Sequence, residues 1–124
     1  MSTVSDDLHY RTVAPDDEQF VLNTALAYNL PLDEARRALW SAAPDTCHGL
    51  YRNGRLVTQC MLYLPHVAHS GSGTIPSGNI DVVATPPEEQ RRGYAACLLR
   101  AVCDKLRSQG MLLCILSVLR RSLC

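Results

Sequence analysis

Polar and apolar positions alternate from Leu8 to Val13, which predicts a first strand. Pro15 to Glu18 then open a helix, with proline and acids at the end where the helix dipole favours them, and Phe20, Leu22 and Leu26 supply its apolar side. Pro31, Asp33 and Glu34 start a second helix that carries Ala35, Leu39 and Trp40 and closes at Pro44. His48–Tyr51 and Leu56–Leu64 are two strand candidates joined by Arg52-Asn53-Gly54-Arg55. Asn-Gly is the strongest short hairpin signal, because both residues tolerate positive φ. Pro65 is expected to end the second strand, and the polar, glycine-rich run His66–Gly78 reads as a mobile loop.

The chain is organised around a strand, loop and helix between Asn79 and Gly110. Ile80, Val82, Val83 and Ala84 form a short β-branched-rich strand, ended by Pro86 and Pro87, whose rings cannot donate a ladder hydrogen bond. After Gly93, the side chains of Ala95, Leu98, Leu99, Val102 and Leu106 recur at helical spacing up to Gly110, so one face of this helix is buried. Met111–Leu116 is apolar throughout and predicts a buried strand, reached by a right-handed crossover and parallel to the strand before the helix.

A helix start presents unpaired N–H groups and the positive end of the peptide dipoles, which suits a phosphate or pyrophosphate. Arg91 and Arg92 sit in the turn that delivers this helix, Gly93 lets a ligand approach the backbone, and Ala95 and Ala96 leave room beside it. An anion is the natural occupant. Neither a Gly-Lys-Ser/Thr ending nor G-x-G-x-x-G is present, so nucleoside triphosphate and dinucleotide readings lose their main support.

Gln90, Gly93 and Ala95 meet the pattern Gln/Arg-x-x-Gly-x-Gly/Ala, and the whole stretch from Asn79 to Ala95 resembles motif A of the GNAT N-acetyltransferases. Gly49-Leu50-Tyr51, Gly54-Arg55-Leu56-Val57, Ile75-Pro76 and Val83-Ala84-Thr85-Pro86-Pro87, followed by Gln90-Arg91-Arg92-Gly93-Tyr94-Ala95, resemble the enhanced-intracellular-survival (Eis) branch, over roughly residues 8–118. The resemblance implies an α/β fold with a mixed, mostly antiparallel sheet and flanking helices. It also implies acetyl-CoA as co-substrate. The pantetheine would pair with the backbone at Val83, Ala84 and Thr85, and the pyrophosphate would rest on Gln90, Arg91, Arg92, Gly93, Tyr94 and Ala95. The first two helices would shape the acceptor pocket. In the resembled proteins the domain continues with another helix and two strands, so the expectation is one GNAT domain over residues 1–124, cut short at its C-terminus.

Composition narrows the partners. With 124 residues and 47% hydrophobic content the chain can bury one core, and a formal net charge of +0 gives no field that favours nucleic acid or an anionic membrane. No apolar run reaches a membrane span, and Met1–Asp7 lacks a signal peptide's apolar core, which points to the cytoplasm. Cys47, Cys60, Cys97, Cys103, Cys114 and Cys124 include no C-x-x-C pair and read as reduced thiols. His66 and His69 lack acidic or thiol neighbours at zinc spacing, so no metal is expected.

The implied reaction is attack of a primary amine on an acetyl thioester, the acceptor being an aminoglycoside, a polyamine or a lysine side chain. Such a site must position both partners, remove the ammonium proton and protonate the leaving thiolate. The resembled enzymes carry their tyrosine acid, and the Eis branch its terminal carboxylate base, on segments that would come after Cys124. Asp81, on the cofactor strand, is the acidic residue placed where other GNAT enzymes carry a base; the competing reading is a polar, outward-facing strand residue. Tyr94, beside the pyrophosphate, is not assigned as the acid. The alternative function is a catalytically inactive acyl-CoA-binding remnant or interaction module. An apolar strand edge at Leu112–Leu116 would favour self-association.

Overall fold

The computed structural model describes residues 8–116 apart from 41, 44, 72 and 112. Five strands, β1 (Leu8–Thr12), β2 (Cys47–Arg52), β3 (Arg55–Ser70), β4 (Gly73–Ala84) and β5 (Leu113–Leu116), form one sheet in the order β1-β2-β3-β4-β5. The first three pairings are antiparallel and β4–β5 is parallel. The helices are α1 (Glu18–Tyr28), α2 (Leu32–Trp40) and α3 (Tyr94–Ser108). This is the expected mixed, mostly antiparallel α/β architecture. Expectations for Pro44, the tail after Leu116 and Cys124 lie outside the described residues.

Alternation along the strands builds two cores. Cys47, Tyr51, Leu56 and Met61 join Phe20, Val21, Ala25, Ala35 and Leu39 beneath α1 and α2. Leu50, Val57, Cys60, Leu62 and Ile80 join Tyr94, Leu98, Val102 and Leu106 beneath α3. The sheet is therefore covered on both faces, and α3 forms the crossover between its parallel strands. Asn53 (φ 52°) and Gly54 (φ 80°) make the two-residue turn between β2 and β3.

Three expectations are corrected. His66–Gly78 is not a loop, because β3 runs through Ser70 and β4 begins at Gly73, making one long hairpin. Pro65 does not end β3. The register shifts between Tyr63 and His66, so Leu64 and Pro65 oppose Gly78 alone, and a bulge accommodates the residue without an N–H. Leu22 and Leu26, expected on the apolar side of α1, are 42% and 60% exposed, and Trp40 is 79% exposed. Asn23 and Thr24 take the inward positions instead. Asp17 caps α1, its carboxylate accepting the Phe20 N–H at 3.1 Å, so the helix starts at Glu18, after the Pro15 turn.

Candidate functional site

The last turn of β4 is not regular. Gln59 pairs with Ala84 and Met61 with Asp81, so Val82 and Val83 together oppose Cys60. Val82 has φ 55°, a left-handed conformation that a β-branched residue rarely adopts. A bulge takes backbone groups out of the ladder and re-aims them. Asp81 Oδ1 accepts the Val82 N–H at 2.8 Å, holding the kink from one side. On the other side, Thr58 Oγ1 lies 3.2 Å from the Ala84 carbonyl and 2.8 Å from Thr85 Oγ1.

Beyond Thr85 the chain makes a short 3-10 turn over Pro87–Glu89. The Gln90 amide donates to the Thr85 carbonyl at 3.0 Å and closes the loop on its own strand. Glu89 is almost buried, and its carboxylate lies 3.1 Å from the Arg55 guanidinium and 3.8 Å from Arg92. Arg55, at the β2–β3 turn, also reaches Glu88 at 3.7 Å, so the hairpin clamps the loop. Arg91 (φ 66°) and Gly93 (φ 79°) then adopt left-handed conformations two residues apart. Such alternation turns successive N–H groups toward one concavity, which suits an anion.

Helix α3 starts at Tyr94 with Gly93 as its cap and no side-chain hydrogen bond to the cap position. Its first N–H groups are the ones an oxyanion would meet. Arg91 and Arg92 are exposed at the rim. The Tyr94 side chain turns inward instead, its hydroxyl accepting from Arg52 Nη1 at 2.7 Å, so Tyr94 offers a ligand its backbone only. Ala95 is half-buried beside it.

A cavity of about 240 Å³ adjoins this turn, with Val83 to Pro87 and Gln90 on one wall and Asn23, Leu26 and Ala27 of α1 on the other. The structure thus brings Val83, Ala84, Thr85 and Gln90 together around one space, with Arg91, Arg92 and Gly93 following at the start of α3. Asp81 lies on the α1 face, sharing its register with Met61. The phenols of Tyr28 and Tyr63 are pushed up, first by burial and then by the Asp81 charge, so both stay protonated at neutral pH. Sequence reasoning missed the α1 wall, the Arg55–Glu89 clamp and the two left-handed non-glycine residues. The spacing of Asn23, Leu26 and Ala27 could have shown a shared helix face but not what that face meets. A broader depression of about 320 Å³ lies among Asp33, Arg36, Arg37 and Trp40 of α2, and no residue of the strand-to-helix loop lines it.

Among the described residues no group of three or more His, Cys, Asp or Glu side chains is placed to hold a metal ion. None of their helices is long and apolar enough to cross a membrane. Cys47, Cys97 and Cys103 are free thiols, and burial pushes the Cys47 thiol up to about 11.

Residues 9–122 match the family model of the acetyltransferase (GNAT) domain. Among solved structures, a GCN5-related N-acetyltransferase from Anabaena variabilis is similar at TM-score 0.76 and 15% identity, over 84% of this chain and 27% of that one. A ribosomal-protein-alanine N-acetyltransferase from Brucella melitensis biovar Abortus is similar at TM-score 0.72 and 18% identity, over 93% and 82%. An aminoglycoside acetyltransferase from an uncultured soil metagenomic sample is similar at TM-score 0.64 and 16% identity, over 93% and 82%. The chain thus spans about a quarter of the Anabaena protein's length and about four-fifths of the other two. At these identities the likeness is one of fold. No match was found among curated proteins.

Proposed function

The chain belongs to the GNAT acetyltransferase domain family, and we propose that it transfers an acetyl group from acetyl-CoA to a primary amine. The single observation that carries this reading is the join between β4 and α3. There a bulged strand end, two left-handed residues and a helix start without a side-chain cap surround one side of a cavity. GNAT domains use acetyl-CoA as co-substrate, and the residues present fit it. Arg91, Arg92, Gly93 and the N–H groups of Tyr94 and Ala95 would hold the pyrophosphate, and the backbone of Val83, Ala84 and Thr85 would pair with the pantetheine arm.

The co-substrate supplies an activated acetyl thioester. In the transfer a C–N bond forms to the amine as the C–S bond breaks, the ammonium proton leaves and the thiolate gains one. Asp81 is the group assigned to receive the amine's proton, since it stands on β4 next to the bulge. Tyr28 and Tyr63, protonated and within reach of the Asp81 charge, flank the acceptor's approach from the α1 side. The bulge orients the thioester and α1 excludes water from one side of it.

The acceptor is an aminoglycoside, a polyamine or a lysine-like amine, and membership of the Eis branch belongs to this reading. The second reading, an acyl-CoA-binding module without turnover, rests on Asp81 spending one oxygen on its neighbour's N–H. Thiol release from acetyl-CoA with a panel of such amines, run beside calorimetry with CoA, separates the two. Binding with turnover supports the transferase, binding alone supports the module, and no CoA binding removes both.

A further inference from the structure

A buried asparagine on an amphipathic helix is costly unless its carboxamide is bonded, and Asn23 of α1 is only 3% exposed. Its Nδ2 donates to Gln59 Oε1 at 2.9 Å, and its Oδ1 accepts from Gln19 Nε2 at 2.8 Å. A primary amide offers two N–H donors and two acceptor lone pairs. One of each is therefore left over on a side chain that lines the 240 Å³ cavity.

The orientation of that carboxamide is not free. Gln59 is fully buried on β3, and its Nε2 donates to the Phe20 carbonyl and to Thr24 Oγ1, both at 3.0 Å. A backbone carbonyl can only accept, so the nitrogen of Gln59 must point at Phe20 and its oxygen at Asn23. That forces the Asn23 nitrogen toward Gln59 and its oxygen toward Gln19. The Thr24 hydroxyl donates to the same Phe20 carbonyl at 2.9 Å and completes the network. One backbone carbonyl thereby sets the direction of two successive amides, ending at the cavity wall.

The neighbours on that wall are apolar. Leu26 and Ala27 stand three and four residues after Asn23, on the same helix face, and all three line the cavity opposite Val83, Ala84, Thr85 and Gln90. Leu26 is 60% exposed, so its side chain is open to whatever occupies the cavity. The wall therefore offers one amide with a spare donor and acceptor, flanked by aliphatic surface. A pantetheine arm has that composition, with secondary amides separated by methylene and methyl groups.

We propose that Asn23 binds an amide of the pantetheine arm from the α1 side, that Leu26 and Ala27 pack on its aliphatic part, and that Gln59 is the positioning residue that aims Asn23. The proposal rests on the acetyl-CoA reading and adds to it a second wall, made by a helix that motif A does not include. It makes α1 a determinant of how the thioester is presented, separate from the anion site at α3.

The test divides the ligand. Calorimetry on the full chain compares CoA with adenosine 3′,5′-bisphosphate, which lacks the pantetheine arm, for the parent and for Asn23→Leu, Gln59→Leu and Leu26→Trp. Loss of a bonded polar contact predicts CoA affinity reduced about tenfold or more in Asn23→Leu and Gln59→Leu, with bisphosphate affinity unchanged within about twofold. Leu26→Trp, a change at an exposed position, keeps the fold testable where the buried variants do not fold, and should block the arm by bulk with the same selectivity. In turnover, Asn23→Leu should raise the acetyl-CoA KM while the acceptor KM stays constant, which a general loss of stability would not produce. Equal CoA affinity in the parent and in folded Asn23→Leu and Leu26→Trp overturns the inference and leaves the acetyl-CoA reading standing. Absence of CoA binding in the parent overturns both.

Discussion

Asp81 accepts, at 2.8 Å, the backbone N–H of Val82, the next residue along the strand. Val82 stands there at φ 55°, so this hydrogen bond helps hold a β-branched residue in a conformation that costs about 1–3 kcal/mol. Asp81 thus has a structural task at the bulge beside the proton transfer assigned to it. The two tasks separate by substitution. Asp81→Asn keeps the Oδ1 acceptor and removes the base, so its thermal midpoint and CoA affinity should stay near the parent's while turnover falls about 10²-fold or more. Asp81→Ala should lose both. Turnover in Asp81→Asn within about a factor of two of the parent would take Asp81 out of the reaction.

The anion site makes a different demand. Arg92 reaches Glu89 at 3.8 Å, so at the proposed site a pyrophosphate would compete with a carboxylate for the guanidinium, while Arg55 would still hold Glu89 at 3.1 Å. A charge-assisted hydrogen bond contributes about 1.5–3 kcal/mol, so Arg92→Ala should weaken CoA binding about ten- to hundredfold. Gly93→Glu should be worse, because it places a carboxylate at the helix start and a side chain at φ 79°. Calorimetry with CoA checks both, and unchanged affinity in both variants would falsify the site.

These elements were legible in the sequence to different degrees, for physical reasons. The run from Ile80 to Leu106 announces itself because two prolines stop a β-branched strand and a 3.6-residue period starts at once after Gly93. Asn53-Gly54 gave the hairpin because its two positive φ values are what those residues tolerate. The hairpin beyond Tyr63 was illegible because Pro65 sits in a bulge, where a proline no longer marks the end of a strand. On α1 Phe20 is buried as expected but Leu22 and Leu26 are not, since hydrophobicity alone cannot foresee that Gln59 on β3 would satisfy Asn23 and Thr24 inside. Nothing in local propensity places Val82 and Arg91 in left-handed backbone; the bulge and the helix entry impose it.

Gly49 illustrates a packing demand of the central sheet. A Cβ built there meets Leu56 Cδ1 at less than contact distance, Val13 Cγ2 at 2.9 Å and Tyr51 Cε1 at 3.4 Å. Gly49→Ala should therefore destabilise the fold by about 1–3 kcal/mol, as overpacking of a filled core does. Calorimetric melting would register this as a midpoint several degrees lower with no change in the selectivity of ligand binding. A midpoint equal to or above the parent's would mean that Leu56 and Val13 move aside at no cost.

His48 makes folding stability depend on mildly acid pH. Its ring is fully buried under the α3 face, stacked on Tyr10 at 5.7 Å between centroids. Nε2 lies 2.8 Å from the Asp45 carbonyl, which can only accept, so Nε2 carries the proton and Nδ1 accepts from the Tyr10 hydroxyl at 2.8 Å. Burial holds the His48 pKa below its ordinary value, with Lys105 adding to the depression, while the Asp45 carbonyl bond and the Asp45 charge oppose it. Tyr10 is itself pushed up to about 12 by burial and then by Cys60, so it stays a donor across the whole range. The unfolded chain takes up a proton at this histidine near pH 6.5, where the folded chain does not. Stability is therefore complete above about pH 6.5 and is lost as pH falls from there toward the folded pKa, with a slope of up to about 1.4 kcal/mol per unit. Urea melts of the parent and of His48→Gln between about pH 7 and 5.5 isolate this group from the carboxylates, which titrate lower. The parent should weaken across that window and the variant should lose most of the slope, whatever its absolute stability. Equal slopes in the two proteins would mean that the folded state accepts the proton at Nδ1 after all, with Tyr10 turned away to make room for it.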